Sequence, residues 1–163
     1  QECTIPSDGY CFVPILDDET WYALRDCLHT ENPEWLGQGR DYAWKTDHTR
    51  LHLAQAWRVE NPVQYNKYVA EQEKMRVNIQ TANLHVDSLH VPDCLKRACE
   101  QLPGTLDASV NETYLLHGTS PDIILPVVSE GLNERLCGRP GFGYGCYLAE
   151  DAGKANQYGL PDQ

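Results

Sequence analysis

The sequence predicts one domain of mixed α and β structure (α+β), and three observations carry that expectation. Several helices are announced by proline or asparagine starts, one stretch alternates apolar and polar residues, and two short apolar runs beside glycine-containing loops suit strands. A chain of 163 residues with 41% hydrophobic content can bury one core and is short for two.

The first helix is expected over residues 20–28, capped by Asp17 or Asp18, with Trp21, Leu24 and Leu28 on one face. Residues 31–47 show no sustained period, although Trp35 and Trp44 need cover. Leu51, Leu53, Trp57 and Val59 then alternate with polar or small residues, the period of a strand with one buried face. Asn61-Pro62 closes that strand. Asparagine as cap and proline at the first helical position predict a helix over 62–79, with Tyr65, Tyr68, Val69 and Met75 inward. Another helix should begin at Pro92 and end before Pro103-Gly104, carrying Cys94 and Cys99. A short strand over 114–116 runs into His117-Gly118-Thr119, followed by a helix opened by Ser120-Pro121 and stopped by Gly131. The glycine-rich stretch 138–145 leads into a strand over 146–149 and a short helix over 151–158. No internal repeat or low-complexity tract is visible.

Charge narrows the partners. Thirteen basic residues against 24 acidic ones give a formal charge of −11, which repels phosphate backbones and anionic lipid, so neither nucleic acid nor membrane is expected as a partner. No apolar run approaches the ~20 residues that a membrane-spanning helix requires. The seven cysteines, at 3, 11, 27, 94, 99, 137 and 146, match no paired C-x-x-C zinc spacing, so no metal is expected and disulfides are. An odd count leaves at least one cysteine free or bonded to another polypeptide. With Gln1 leading and Asn111-Glu112-Thr113 offering an N-glycosylation triplet, the expectation is a mature, secreted, extracellular glycoprotein.

The chemistry concentrates in the second half, where strand, His-Gly-Thr, helix, glycine-rich loop, strand and Tyr158 outline a cleft. Backbone beside Gly118 can approach a planar amide because no Cβ intervenes, and two tyrosines can cover a heteroaromatic ring. His117 can donate to, or accept from, a sugar hydroxyl. Taken singly, each piece has an ordinary explanation: a loop histidine, tight-turn glycines, core aromatics. Their combination and order carry the weight.

The segments Tyr114-Leu-Leu-His117-Gly118-Thr119, Glu130-Gly131-Leu132, Phe142-Gly-Tyr-Gly-Cys-Tyr147-Leu-Ala149-Glu150-Asp151 and Lys154-Ala-Asn-Gln-Tyr158 resemble the donor site of poly(ADP-ribose) polymerase catalytic domains, within the diphtheria-toxin-like class of ADP-ribosyltransferases. Trp57-Arg58-Val59-Glu60-Asn61-Pro62, with Tyr65 and Tyr68, is similar to the strand and helix preceding that site in mono-ADP-ribosylating members. The likeness spans residues 48–158. It implies a single transferase-like domain over 1–163, with an N-terminal helical and loop region (1–47) and an NAD⁺-binding part (48–163). It also implies two packed, mostly antiparallel sheets with flanking helices. By the resemblance, His117 is the histidine of a His-Tyr-Glu triad and binds a ribose hydroxyl, Gly118 holds the nicotinamide carboxamide, and Thr119 lines the adenosine side. Tyr147 is the triad tyrosine stacking on nicotinamide, Tyr158 closes the other face, and 133–141 is the donor loop. NAD⁺ is then a substrate.

Two positions depart from the family pattern. Ala155 stands where many polymerase-type members carry a serine, and no glutamate follows Tyr158 in the place of the triad carboxylate. Glu150 and Asp151 are better explained as a helix start. The resemblance therefore implies an NAD⁺-dependent mono-ADP-ribosyltransferase whose activity needs a C-terminal segment carrying that glutamate. The alternatives are an NAD⁺ glycohydrolase and a catalytically inactive NAD⁺- or ADP-ribose-binding or interaction module.

Overall fold

The structure is a computed structural model that describes residues 9–39, 45–87, 92–133, 135, 143 and 145–159. Most of the expected donor loop, together with Trp44, Cys3 and Cys137, lies outside the described residues. Among the described residues two strands and five α-helices follow one another: β1 (Cys11–Pro14), α1 (Asp18–Cys27), β2 (Trp57–Glu60), α2 (Pro62–Thr81), α3 (Asp93–Gln101), α4 (Pro121–Glu130) and α5 (Ala152–Asn156). The 3₁₀ turns Pro33–Trp35 and Ala108–Val110 lie between them.

The helix starts follow from local side-chain chemistry. Asp17 caps α1 by accepting from the Thr20 N–H at 2.8 Å, which satisfies one of the donors a first turn leaves open. Asn61 caps α2 through the Gln64 N–H at 3.0 Å, with Pro62 in the first turn where no donor is missed. The Asn61 amide also donates to the Val128 and Ser129 carbonyls at 2.9 and 3.2 Å, so one side chain starts α2 and ties it to the end of α4. Asn61→Ala should therefore cost about 2 kcal/mol, the upper end for a lost cap, read as a lower urea midpoint. A midpoint unchanged within error would refute that tie. Gly131 ends α4 at φ +85°, a conformation that side-chain-bearing residues avoid.

The core sits between α1 and α3. Its buried centre is Cys27, Leu95 and Ala98, with Cys99, Leu102 and Leu116 packed around it. The buried stripe of α1 is Thr20, Ala23 and Cys27, one helical step from the Trp21, Leu24 and Leu28 face expected from size; those three are only half-buried. Small residues let α3 approach closely, and that approach outweighs the larger side chains. Cys11 is disulfide-bonded, whereas Cys27, Cys99 and Cys146 are in no disulfide. At those three positions the expected disulfide framework is not formed, and Cys27 and Cys99 serve as small apolar residues of the core. Glycosylation gains no support either, because Asn111 is half-buried in a left-handed turn at φ +57°.

Two packed sheets are not formed among the described residues. β1 and β2 make a single two-stranded antiparallel sheet, with Cys11 opposite Glu60 and Pro14 opposite Trp57. The expected strand from Leu51 contracts to its last third, and Leu51 lines a cavity beside α1 and α3 instead. The expected strands over 114–116 and 146–149 meet in one antiparallel bridge, Leu116 with Ala149. The inward face assigned to α2 is also corrected. Tyr65, Tyr68, Val69 and Met75 are 66%, 49%, 41% and 53% exposed, and α2 contains no buried residue. Polar contacts hold it instead. The Tyr68 hydroxyl and the Gln72 amide both donate to Glu112, and Arg76 pairs with Asp107 at 2.6 Å. Partial burial and the neighbouring Glu112 push the Tyr68 phenol up to about 12. Hydrogen bonds from Ser109 and Arg76 hold the Asp107 carboxyl down to about 2.

Candidate functional site

The bridge between Leu116 and Ala149 is the frame of the site. Its two backbone hydrogen bonds, 2.8 Å from Leu116 N and 2.7 Å from Ala149 N, set His117 beside the chain that carries Tyr147. His117 Nδ1 lies 3.0 Å from the Tyr147 carbonyl oxygen. A carbonyl only accepts, so Nδ1 carries the hydrogen and Nε2 of the neutral ring keeps its lone pair. His117 is exposed, so that lone pair is accessible to a hydroxyl donor.

Tyr147 is 42% exposed, and its hydroxyl donates to the Gly143 carbonyl at 2.7 Å. The bond fixes the far end of the ring while leaving ring surface open. Tyr158, just past α5, is 40% exposed, with the Lys154 ammonium 5.6 Å from its ring centre. That is cation–π range, so the ring already serves as a seat for positive charge.

Gly118 connects the two halves. A methyl group built on it would lie 1.9 Å from the Ala155 carbonyl oxygen, 2.8 Å from the Ala155 carbonyl carbon and 3.4 Å from Tyr158 Cβ. The direction a side chain would take is filled by the backbone of α5. Glycine is required there first for packing, a reason distinct from the ligand approach expected from sequence. His117 thus bonds the Tyr147 carbonyl while its neighbour Gly118 faces Ala155 and Tyr158, which brings the four expected residues into one neighbourhood. Thr119 follows them, half-buried.

Helix α5 is held from its other end by a residue that sequence reasoning had only as a helix start. Asp151 caps α5 through the Gly153 N–H at 2.7 Å. It also accepts from Thr30 Oγ1 at 2.6 Å, the Glu31 N–H at 3.1 Å and the Asn32 amide at 3.2 Å. Burial pushes the Asp151 carboxyl up, but these donations outweigh it and hold the group below its ordinary value. His48 is a second support that the sequence did not reveal. Its Nε2 accepts the Gly37 N–H at 3.1 Å and lies 3.3 Å from the Asn156 amide, while Nδ1 lies 2.6 Å from Thr46 Oγ1.

No carboxylate is hydrogen-bonded to His117 or Tyr147 among the described residues. Two concavities lie away from these residues. One, of about 850 Å³, opens between α1, α3 and the segment around Arg50. The other, of about 690 Å³, is an apolar groove between β2, the start of α2 and the end of α4.

An exposed histidine, two half-open tyrosines and a glycine packed against a short helix lie together around the bridge and α5. The sequence pattern that supplies them extends well beyond the site: residues 40–163 match the family model of the poly(ADP-ribose) polymerase catalytic domain. The match covers most of the chain and includes every residue of the bridge and of α5, so the chain belongs to the poly(ADP-ribose) polymerase catalytic domain family, whose chemistry is NAD⁺-dependent ADP-ribosyl transfer.

Proposed function

We propose that this chain grips NAD⁺ for mono-ADP-ribosyl transfer to a protein acceptor. The observation that carries the reading is that His117 is bonded to the Tyr147 carbonyl while the space beside its neighbour Gly118 is filled by the Ala155 carbonyl and bordered by Tyr158. In this reading Tyr147 and Tyr158 cover the two faces of the nicotinamide ring, and His117 Nε2 accepts a ribose hydroxyl. The Gly118 backbone holds the carboxamide and Thr119 lines the adenosine side. Cleavage breaks the bond between ribose C1′ and the ring nitrogen. The bonding pair leaves with nicotinamide, which becomes neutral, and C1′ becomes an oxocarbenium-like centre. An acceptor nucleophile then adds to C1′ and gives up its proton.

Tyrosine stacking favours the cationic ring of the bound substrate over the neutral leaving group, so the tyrosines contribute more to binding than to rate. The rate needs negative charge beside the developing cation. The resemblance assigns that charge to a glutamate on a strand after Tyr158, and we include a polypeptide segment carrying it as a partner in turnover. Because no carboxylate is bonded to His117 or Tyr147 among the described residues, binding without turnover is the second reading for the chain by itself.

Calorimetric titration with NAD⁺ separates these possibilities. Tyr147→Ala and Tyr158→Ala are each expected to weaken binding by about 1 kcal/mol, roughly fivefold, with unchanged circular dichroism. Unaltered affinity in both variants would end the site assignment. Nicotinamide release is expected from the form that includes the glutamate-bearing segment and not from this chain alone. Equal release by both would show that a residue already present supplies the charge.

A further inference from the structure

The cavity between α1 and α3 has a charge at odds with the rest of the chain. In a protein of net charge −11, three arginines, Arg25, Arg50 and Arg97, line one concavity of about 850 Å³, together with His29 and a single acidic residue, Asp26. Arg25 is engaged: it pairs with Asp26 at 3.0 Å and lies 4.8 Å from the Tyr22 ring centre. Arg50 and Arg97 are different. Among the described residues neither has an acidic partner within ion-pair distance. They also come from separate elements, Arg97 from α3 and Arg50 from the segment before β2, and reach the same hollow.

Arginines held close together repel one another, and in an acidic chain the easy arrangement is for each to find a carboxylate. Two that converge without one leave a positive field in a concave, partly apolar space, where field lines are focused. Leu28, Pro33, Leu36 and Leu51 supply apolar wall in the same cavity. Guanidinium groups match phosphate oxygens in pairs, and an apolar wall suits a base or another flat group. The volume is that of a site for a small molecule. A nucleic acid strand is a poor occupant, because its many charges would meet the acidic remainder of the surface.

We propose that this cavity binds a phosphate-bearing ligand of nucleotide size, at a site separate from the tyrosine cleft. Arg50 and Arg97 hold the phosphates, and the leucine and proline wall covers the base. The inference does not depend on the function proposed above, since His117, Tyr147 and Tyr158 are not among the residues that line this cavity.

The test titrates the chain with ADP and with inorganic pyrophosphate at low salt, following binding by calorimetry. Both should bind, ADP more tightly, and both should weaken as salt is raised. The double variant Arg50→Gln, Arg97→Gln should lose at least tenfold in affinity while keeping its melting temperature, as expected for two exposed side chains. The proposal is overturned if neither ligand binds at millimolar concentration, or if the double variant binds as the parent does. ADP binding no tighter than pyrophosphate would remove the nucleotide assignment.

Discussion

Gly118→Ala is expected to lower the melting temperature by roughly 6–12 °C, corresponding to about 3 kcal/mol for forced overpacking in a chain of this size. The added methyl would stand 1.9 Å from the Ala155 carbonyl oxygen, a main-chain atom that no rotamer change can remove. The helix itself must move. Because Tyr158 sits at 3.4 Å on the same side, that movement should also carry the tyrosine ring away, so NAD⁺ affinity falls with stability. A second substitution sharpens the test. Ala155→Gly deletes a side chain but leaves the obstructing carbonyl, so the double variant should be no more stable than Gly118→Ala. A Gly118→Ala protein melting within a degree of the parent would contradict the packing described here.

Asp151→Ala should cost about 3–5 kcal/mol at neutral pH, since it strands donors from Thr30, Glu31, Asn32 and Gly153 around a buried position. Asparagine should not repair the loss, because its amide NH₂ would point a donor at donors. The effect has a pH signature. The folded carboxyl titrates below its ordinary value of 3.8, so its contribution is complete above that value and disappears as pH falls through the folded value. Urea unfolding of parent and variant should therefore differ most near pH 7 and converge below about pH 4. A gap between them that stays constant across that range would mean the hydrogen bonds do not depend on the carboxylate charge.

What the sequence made legible was local. Asp17, Asn61 and Asp151 cap their helices as their positions suggest, because a cap involves side chain and backbone only two or three residues apart. Gly131 ends α4 for the same kind of reason. Family membership was legible because ordered glycines, histidine and tyrosines survive as a pattern along the chain. Burial was not. Tyr65 and Met75 have the spacing of an inward face, yet whether anything covers such a face depends on distant chain. β1 escaped notice because four residues ending in Pro14 show too little alternation, and its partner β2 starts 46 positions after it. The Thr30 to Asp151 bond spans 121 positions, and no short pattern encodes such a pairing. The cysteine count pointed to oxidation, and Cys11 is disulfide-bonded, but Cys27 and Cys99 are in no disulfide and are used for their size.

The anchoring of α5 also bears on where the domain begins. Sequence similarity sets in at residue 40, yet three of the four donors to Asp151 come from Thr30, Glu31 and Asn32, and His48 takes a hydrogen bond from Gly37. A boundary drawn by inherited pattern therefore cuts through a unit that is mechanically continuous. The stretch that carries no recognisable signature acts as scaffolding for the stretch that does. Expression of a piece trimmed to the recognisable part would remove the footing of the helix on which Gly118 rests.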